Sequence, residues 1–168
     1  MQRLTLVLFA VLGAWLPAAS LPAQQWGNLS ATFVYDGQLP KEVPLQITKD
    51  VEFCGKFHVI DESLVVNAEN KGIPNVFAYL YLGRTDEPPK PHPSYDATAK
   101  ASVKLDNNCC RFDPHVLLLH TTQTLILGNS DEIGHNCKID TLTNPPINYT
   151  IPAKRKLEHK FLLAERLP

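Results

Sequence analysis

Residues 123–136, QTLILGNSDEIGHN, constrain this chain more than any other stretch. Residues 125–127 form an apolar run that reads as a buried strand, and Gly128 with Asn129 breaks it. Asp131 and Gly134 shape the turn that follows, and His135 stands where the backbone re-emerges. A strand fixes the backbone, a polar turn bonds to itself, and the His is left on a loop held by a rigid scaffold. Its residues alone leave two roles open. His135 is either a metal-ligating imidazole or a capping residue that closes the turn on Asn129 or Asp131 without metal.

The amino terminus reads as an export signal. Arg3 supplies a positive start, residues 4–16 are an apolar run too short to span a bilayer, and the small residues Ala18, Ala19, Ser20 and Ala23 follow. Polar Gln24 and Gln25 come too early for a membrane anchor, and no Cys follows the apolar run to take a lipid. Residues 1–23 are therefore expected to be a signal peptide. Residues 24–168 are expected to form one domain in the periplasm, at the cell envelope or outside the cell. No later stretch is apolar enough to cross a membrane, and a net charge of −1 argues against nucleic acid or an acidic membrane as partner.

The remaining chain alternates short β-type runs with turn chemistry. Strands are expected over residues 31–35, around 43–47, and over 63–66, 76–82, 103–105, 115–120, 124–127, 138–142 and 160–163. Residues 76–82 are apolar or aromatic throughout and read as a central strand. Residues 84–100 carry Pro88, Pro89, Pro91 and Pro93 and read as a long surface excursion. Only residues 153–165 offer a weak helical pattern. With 14 prolines, and Met1 as its one methionine, the chain suits a loop-rich antiparallel sandwich or barrel. No Ser-His-Asp or Cys-His arrangement emerges from spacing, and Asp131-Glu132 reads as turn chemistry, so an enzyme is not expected.

Four cysteines, Cys54, Cys109, Cys110 and Cys137, in an exported chain favour at least one disulfide. Four allow three pairings, and adjacent Cys109 and Cys110 would bridge each other only with strain. Cys137 follows His135 by two residues, so an extended backbone puts both on one face. A His-x-Cys pair of that kind can take Cu(I) or Zn(II) with a third ligand. The alternative, a small buried thiol, is the favoured reading. His115 precedes the apolar residues 116–119 and reads as structural. His58, His92, His120 and His159 show no ligand spacing. Asn28-Leu29-Ser30 and Asn148-Tyr149-Thr150 fit the glycosylation pattern, which matters only in a eukaryotic secretory route.

The stretches WGNLSATFVYDG, VEFCGK, DESLVVNAENKGIPNV, HPSYDATA, LDNNCCRFDPHV, TTQTLILGNSDEIGHN, NPPIN and ERLP together resemble a family of exported cupredoxin-like proteins, the methylamine-utilisation type. They run in the expected order from Trp26 to Pro168. The resemblance implies an antiparallel Greek-key β-sandwich of cupredoxin type, with His135 at the position of the first copper-ligating imidazole. It implies a copper-binding or electron-transfer module, or a degenerate relative, with a redox or cell-envelope protein as partner. Cys54 and Cys110 both fall on its motifs, CGK and CRFDPH, and are expected to form a structural disulfide, which leaves Cys109 exposed or paired with Cys137. Members of the family continue past the ERLP-like segment with Cys-x-Ile-His-Pro-Trp-Met, which supplies the thiolate, second imidazole and axial Met of a blue-copper site. This sequence reads as a fragment or as a copy that has lost the site, and one imidazole is not expected to hold copper firmly. The alternative is a metal-free β-sandwich that binds a protein or glycan at the cell envelope.

Overall fold

The computed structural model describes residues 26–83 and 85–165, so the expected signal segment lies outside the described residues. In chain order these form a one-turn helix α1 (Val51–Cys54), a 3-10 helix (Pro93–Ala97), and six strands. The strands are β1 (Ser102–Asn108), β2 (Arg111–Asp113), β3 (Thr124–Asn129), β4 (His135–Ile139), β5 (Ile147–Ile151) and β6 (Lys156–His159).

The strands make two sheets, one ordered β2-β1-β3-β6 and the other β4-β5. The expectation of purely antiparallel pairing is corrected here. Strands β1 and β3 run parallel, in register from Ser102 opposite Thr124 to Asn107 opposite Asn129. Parallel neighbours need a crossover, and the chain from β2 to β3 supplies it. Residues 115–120, expected as a strand, form part of this irregular crossover, yet Leu117 and Leu119 still pack on the core. The other pairs, β1 with β2, β3 with β6 and β4 with β5, are antiparallel.

Period-two alternation builds the core. Leu125 and Leu127 from β3, Cys137 from β4 and Ile151 from β5 are fully buried together, so the two sheets share one apolar cluster. Gly128 is required where it stands. It pairs with Asp106 across the parallel ladder, and a Cβ there would collide with the Asp106 carboxylate. That carboxylate is nearly buried and accepts from Lys104 Nζ at 2.8 Å and Ser130 Oγ at 2.6 Å.

Several boundaries move. The strand expected over 138–142 is His135–Ile139, and the last strand is Lys156–His159 rather than 160–163. The weak helical pattern of residues 153–165 forms no helix. Among the described residues before Ser102 the β-structure reduces to two isolated bridges, Val34 with Gly72 and Pro44 with Ile60. Residues 63–66 and 76–82 are not strands, and the supposed central segment is exposed, with Tyr79 at 59%, Leu80 at 67% and Tyr81 at 74%. Apolarity marked it for burial, but no strand pairs with it among the described residues. The proline-rich excursion is exposed as expected. No helix among the described residues is long and apolar enough to cross a membrane.

Candidate functional site

The segment from Asn129 to Gly134 carries the chain from one sheet to the other, and its side chains close on each other. Asn129 is 3% exposed and holds the crossover together. Its Nδ2 donates to the carbonyls of Ile133 at 2.7 Å and Ile151 at 2.9 Å, and its Oδ1 accepts from the Asp131 amide at 3.0 Å. This Asx-type turn aims the Asp131 side chain back toward the β1–β2 connection.

There it meets the two adjacent cysteines. With Asn108 paired to Arg111, Cys109 and Cys110 are the two central residues of a tight hairpin turn. Both have positive φ, 54° and 61°, a conformation that such turns demand and that Asn-Gly usually supplies. Residues with a side chain resist it by roughly 1 kcal/mol or more each. Asp131 offsets that cost, because its carboxylate accepts the amides of Cys109 at 2.8 Å and Cys110 at 2.9 Å. The disulfide adds a second restraint, for Cys110 is bonded to Cys54 at the end of α1 as the family motifs implied. Cys109 and Cys137 are both free, so the alternative of their pairing is set aside.

His135 completes the corner. Its Nε2 lies 2.7 Å from Asp131 Oδ2, the side chains being 17% and 4% exposed. Burial pushes the Asp131 pKa up, but the Cys110 and Cys109 amides and the His135 ring outweigh it and hold the carboxyl below its ordinary value. An ionised carboxylate only accepts, so the neutral ring carries its proton on Nε2 and its lone pair on Nδ1. Nδ1 has no hydrogen-bond partner among the described residues and is not sealed from solvent. The capping role weighed for His135 is therefore formed with Asp131, and it leaves one ring nitrogen available.

Cys137 shares the face of His135 along β4, as period two requires, but it is 1% exposed within the core cluster. Burial raises its thiol pKa. It packs as a small hydrophobe between the sheets and does not stand beside His135 as a ligand. The ligand-type atoms that do cluster there are Cys110 Sγ, an Asp131 oxygen and a His135 nitrogen, all within 4.8 Å of one another. In the oxidised protein this set is closed to metal, since the sulfur is in a disulfide and the carboxylate already takes three donors.

His115 has its own partners. Its Nδ1 lies 2.9 Å from the Phe112 carbonyl and its Nε2 2.6 Å from Glu62, which also binds Arg111 at 2.9 Å. The reading of His115 as structural matches this arrangement, while Glu62 as its partner was not foreseen. His58, His92, His120 and His159 belong to no cluster of metal-ligand atoms among the described residues. Searches against family models, curated proteins and solved structures return no match for this chain.

Proposed function

We propose that the protein is an exported cupredoxin-like module whose Asp131–His135 pair presents a single imidazole to copper. The observation that carries this reading is the 2.7 Å bond from His135 Nε2 to a buried carboxylate. Metal-binding histidines characteristically donate their second ring N–H to a carboxylate or carbonyl, which fixes the tautomer and raises the basicity of the other nitrogen. Asp131 is placed for that role, and Nδ1 is the nitrogen it would leave for the metal. Export is supported by the disulfide, which persists in oxidising compartments.

The donor set fits copper in part. His135 suits it, whereas Cys137 lies in the core and Cys110 is oxidised, so no thiolate complements the imidazole. Bound copper would supply one-electron chemistry, but a one-imidazole site is weak and lacks the thiolate bond that gives blue-copper proteins their intense colour. Titration of the oxidised protein with Cu(II), followed by visible and paramagnetic-resonance spectra, tests this. The expected result is a pale site with nitrogen coupling, lost in His135→Ala and weakened about tenfold or more in Asp131→Asn. A strong thiolate-to-copper band, or binding indifferent to His135→Ala, would overturn it.

The second reading, a metal-free module that binds a protein or glycan, is favoured by the exposed Tyr79, Leu80 and Tyr81. Aromatic and aliphatic groups left in water at this density are typical of binding surfaces. Failure of copper binding together with retention of envelope material by the protein, lost in Tyr79→Ser/Tyr81→Ser, would select it.

A further inference from the structure

The corner built by Asp131 holds more ligand chemistry than the oxidised protein can use. Cys110 Sγ, an Asp131 oxygen and a His135 nitrogen converge within 4.8 Å, and the Cys54 sulfur, bonded to Cys110 Sγ, lies next to this group but outside it. One sulfur, one imidazole and one carboxylate form a three-ligand set with the second sulfur alongside, and sites of mixed Cys and His character are those that Zn(II) prefers. The disulfide and the proton that His135 donates to Asp131 keep the set closed.

We propose that reduction of the Cys54–Cys110 disulfide opens this corner as a metal site for a borderline-soft divalent cation such as Zn(II). A dithiol supplies the two electrons and two protons, becoming a cyclic disulfide as Cys54 and Cys110 become thiols. Zn(II) then binds both sulfurs as thiolates and displaces their two protons. It takes the place of the proton between His135 Nε2 and Asp131, and that proton passes through water to Nδ1. The ring stays neutral throughout, so the balance is one metal ion in and two protons out.

Three restraints keep the ligands together once the disulfide is cut. The Cys110 amide remains anchored on Asp131 at 2.9 Å, and Asp131 remains aimed by Asn129. His135 is fixed at the start of β4, where it pairs with Ile151. Cys54 closes α1, whose backbone is tied by bonds from the Cys54 and Gly55 amides to the carbonyls of Asp50 and Val51, at 2.8 and 2.9 Å. Cys109, although adjacent, is not part of the cluster, and its sulfur lies 3.6 Å from the Asn108 side chain. This proposal does not rest on copper binding, which concerns the oxidised protein and the other ring nitrogen.

The test uses the full chain carrying Cys109→Ser, which removes the neighbouring thiol. After reduction with a dithiol and its removal without air, titration with Co(II) should give a thiolate-to-cobalt band saturating at one equivalent. The oxidised protein should give none. His135→Gln and Asp131→Asn should each weaken binding by about tenfold or more while the thiols remain intact. Added Zn(II) should raise the fraction of Cys54–Cys110 that is reduced at a fixed dithiol ratio, because it binds only the reduced form. A reduced protein that unfolds but refolds on adding Zn(II) also supports the site. Absence of the band, whether or not the reduced chain stays folded, would overturn the proposal, and so would a band indifferent to His135→Gln. Neither failure alters the expected Cu(II) behaviour of the oxidised protein, so the two readings fail separately.

Discussion

Residues 26–83 and residues 102–165 draw on similar apolar material and use it differently. The later region pairs six strands into two sheets and buries Leu125, Leu127, Cys137 and Ile151 between them. The earlier one keeps two isolated bridges and leaves Phe33, Val76, Phe77, Tyr79, Leu80 and Tyr81 more than a third exposed. Apolar content does not separate them; partners do. An apolar strand is buried only when its backbone groups are paired and a second layer covers its face. In the later region the crossover at Asn129 and Asp131 sends β4 over β3, and that supplies the second layer. Among the described residues before Ser102 the one buried apolar residue is Cys54, which is bonded into the later region.

That contrast makes the disulfide the largest single lever. It closes a loop of 56 residues, which chain entropy rates at about 4 kcal/mol. The double variant Cys54→Ala/Cys110→Ala should therefore unfold at clearly lower denaturant. Hydrogen exchange should show protection lost around α1 and the Val34–Gly72 bridge while β1, β3 and β6 keep theirs. An even loss across both regions would mean that they fold as one unit and would break the contrast.

Core truncation should sharpen it. Leu127→Ala removes a side chain 1% exposed between the sheets and should cost about 3 kcal/mol in chemical unfolding. Leu80→Ala, at 67% exposure, should stay within about 0.5 kcal/mol. Comparable losses would show residues 76–82 to be covered in solution. Next comes the crossover itself. Asn129→Ala strips the donors from the Ile133 and Ile151 carbonyls, and a loss of about 2 kcal/mol is expected from unfolding curves. Its signature would be faster alkylation of Cys137 as the sheets part, and no change there would remove Asn129 from the role given to it.

These tests track what the sequence disclosed. The buried run at 125–127 and the return at His135 were legible because apolar periodicity and turn chemistry are local signals, whereas Gly128 and Asn129, read as a break, continue β3 opposite Asp106 and Asn107. So was the shared face of His135 and Cys137. Strand β5 carries a clear alternation in Ile147, Tyr149 and Ile151, but it is short and directly follows Pro145-Pro146, and it was not among the expected strands. The parallel pairing of β1 with β3 is a property of the crossover path and leaves no periodic trace. Residues 76–82 misled for the opposite reason, since their composition announces burial but cannot name a covering layer. At the site, His135 and its bond to Asp131 were foreseeable, whereas the two amides on that carboxylate depend on Cys109 and Cys110 adopting positive φ, which no Cys-Cys pair advertises.

The smallest expected effect compares two carboxylates, each held by backbone amides. Asp131 is sealed in its corner, while Glu165 lies at the surface after β6 and accepts the amides of Asn144 at 3.0 Å, Leu142 at 2.9 Å and Thr143 at 2.8 Å. These bonds, with the Asn144 side chain at 2.8 Å, hold the Glu165 pKa at about 2 against an ordinary 4.5. Both folded values lie below the unfolded ones, so both carboxylates stabilise the fold fully at higher pH and lose that contribution as the solution is acidified. For Glu165 the loss runs from 4.5 down through about 2, and it should be local, releasing the segment beyond β6 while both sheets persist. The Leu142, Thr143 and Asn144 amide resonances should accordingly titrate with a midpoint near 2 and become insensitive to pH over that window in Glu165→Gln. Midpoints near 4.5 would mean that the carboxylate is free in solution, and the end of the later region would then resemble the loosely tied earlier one.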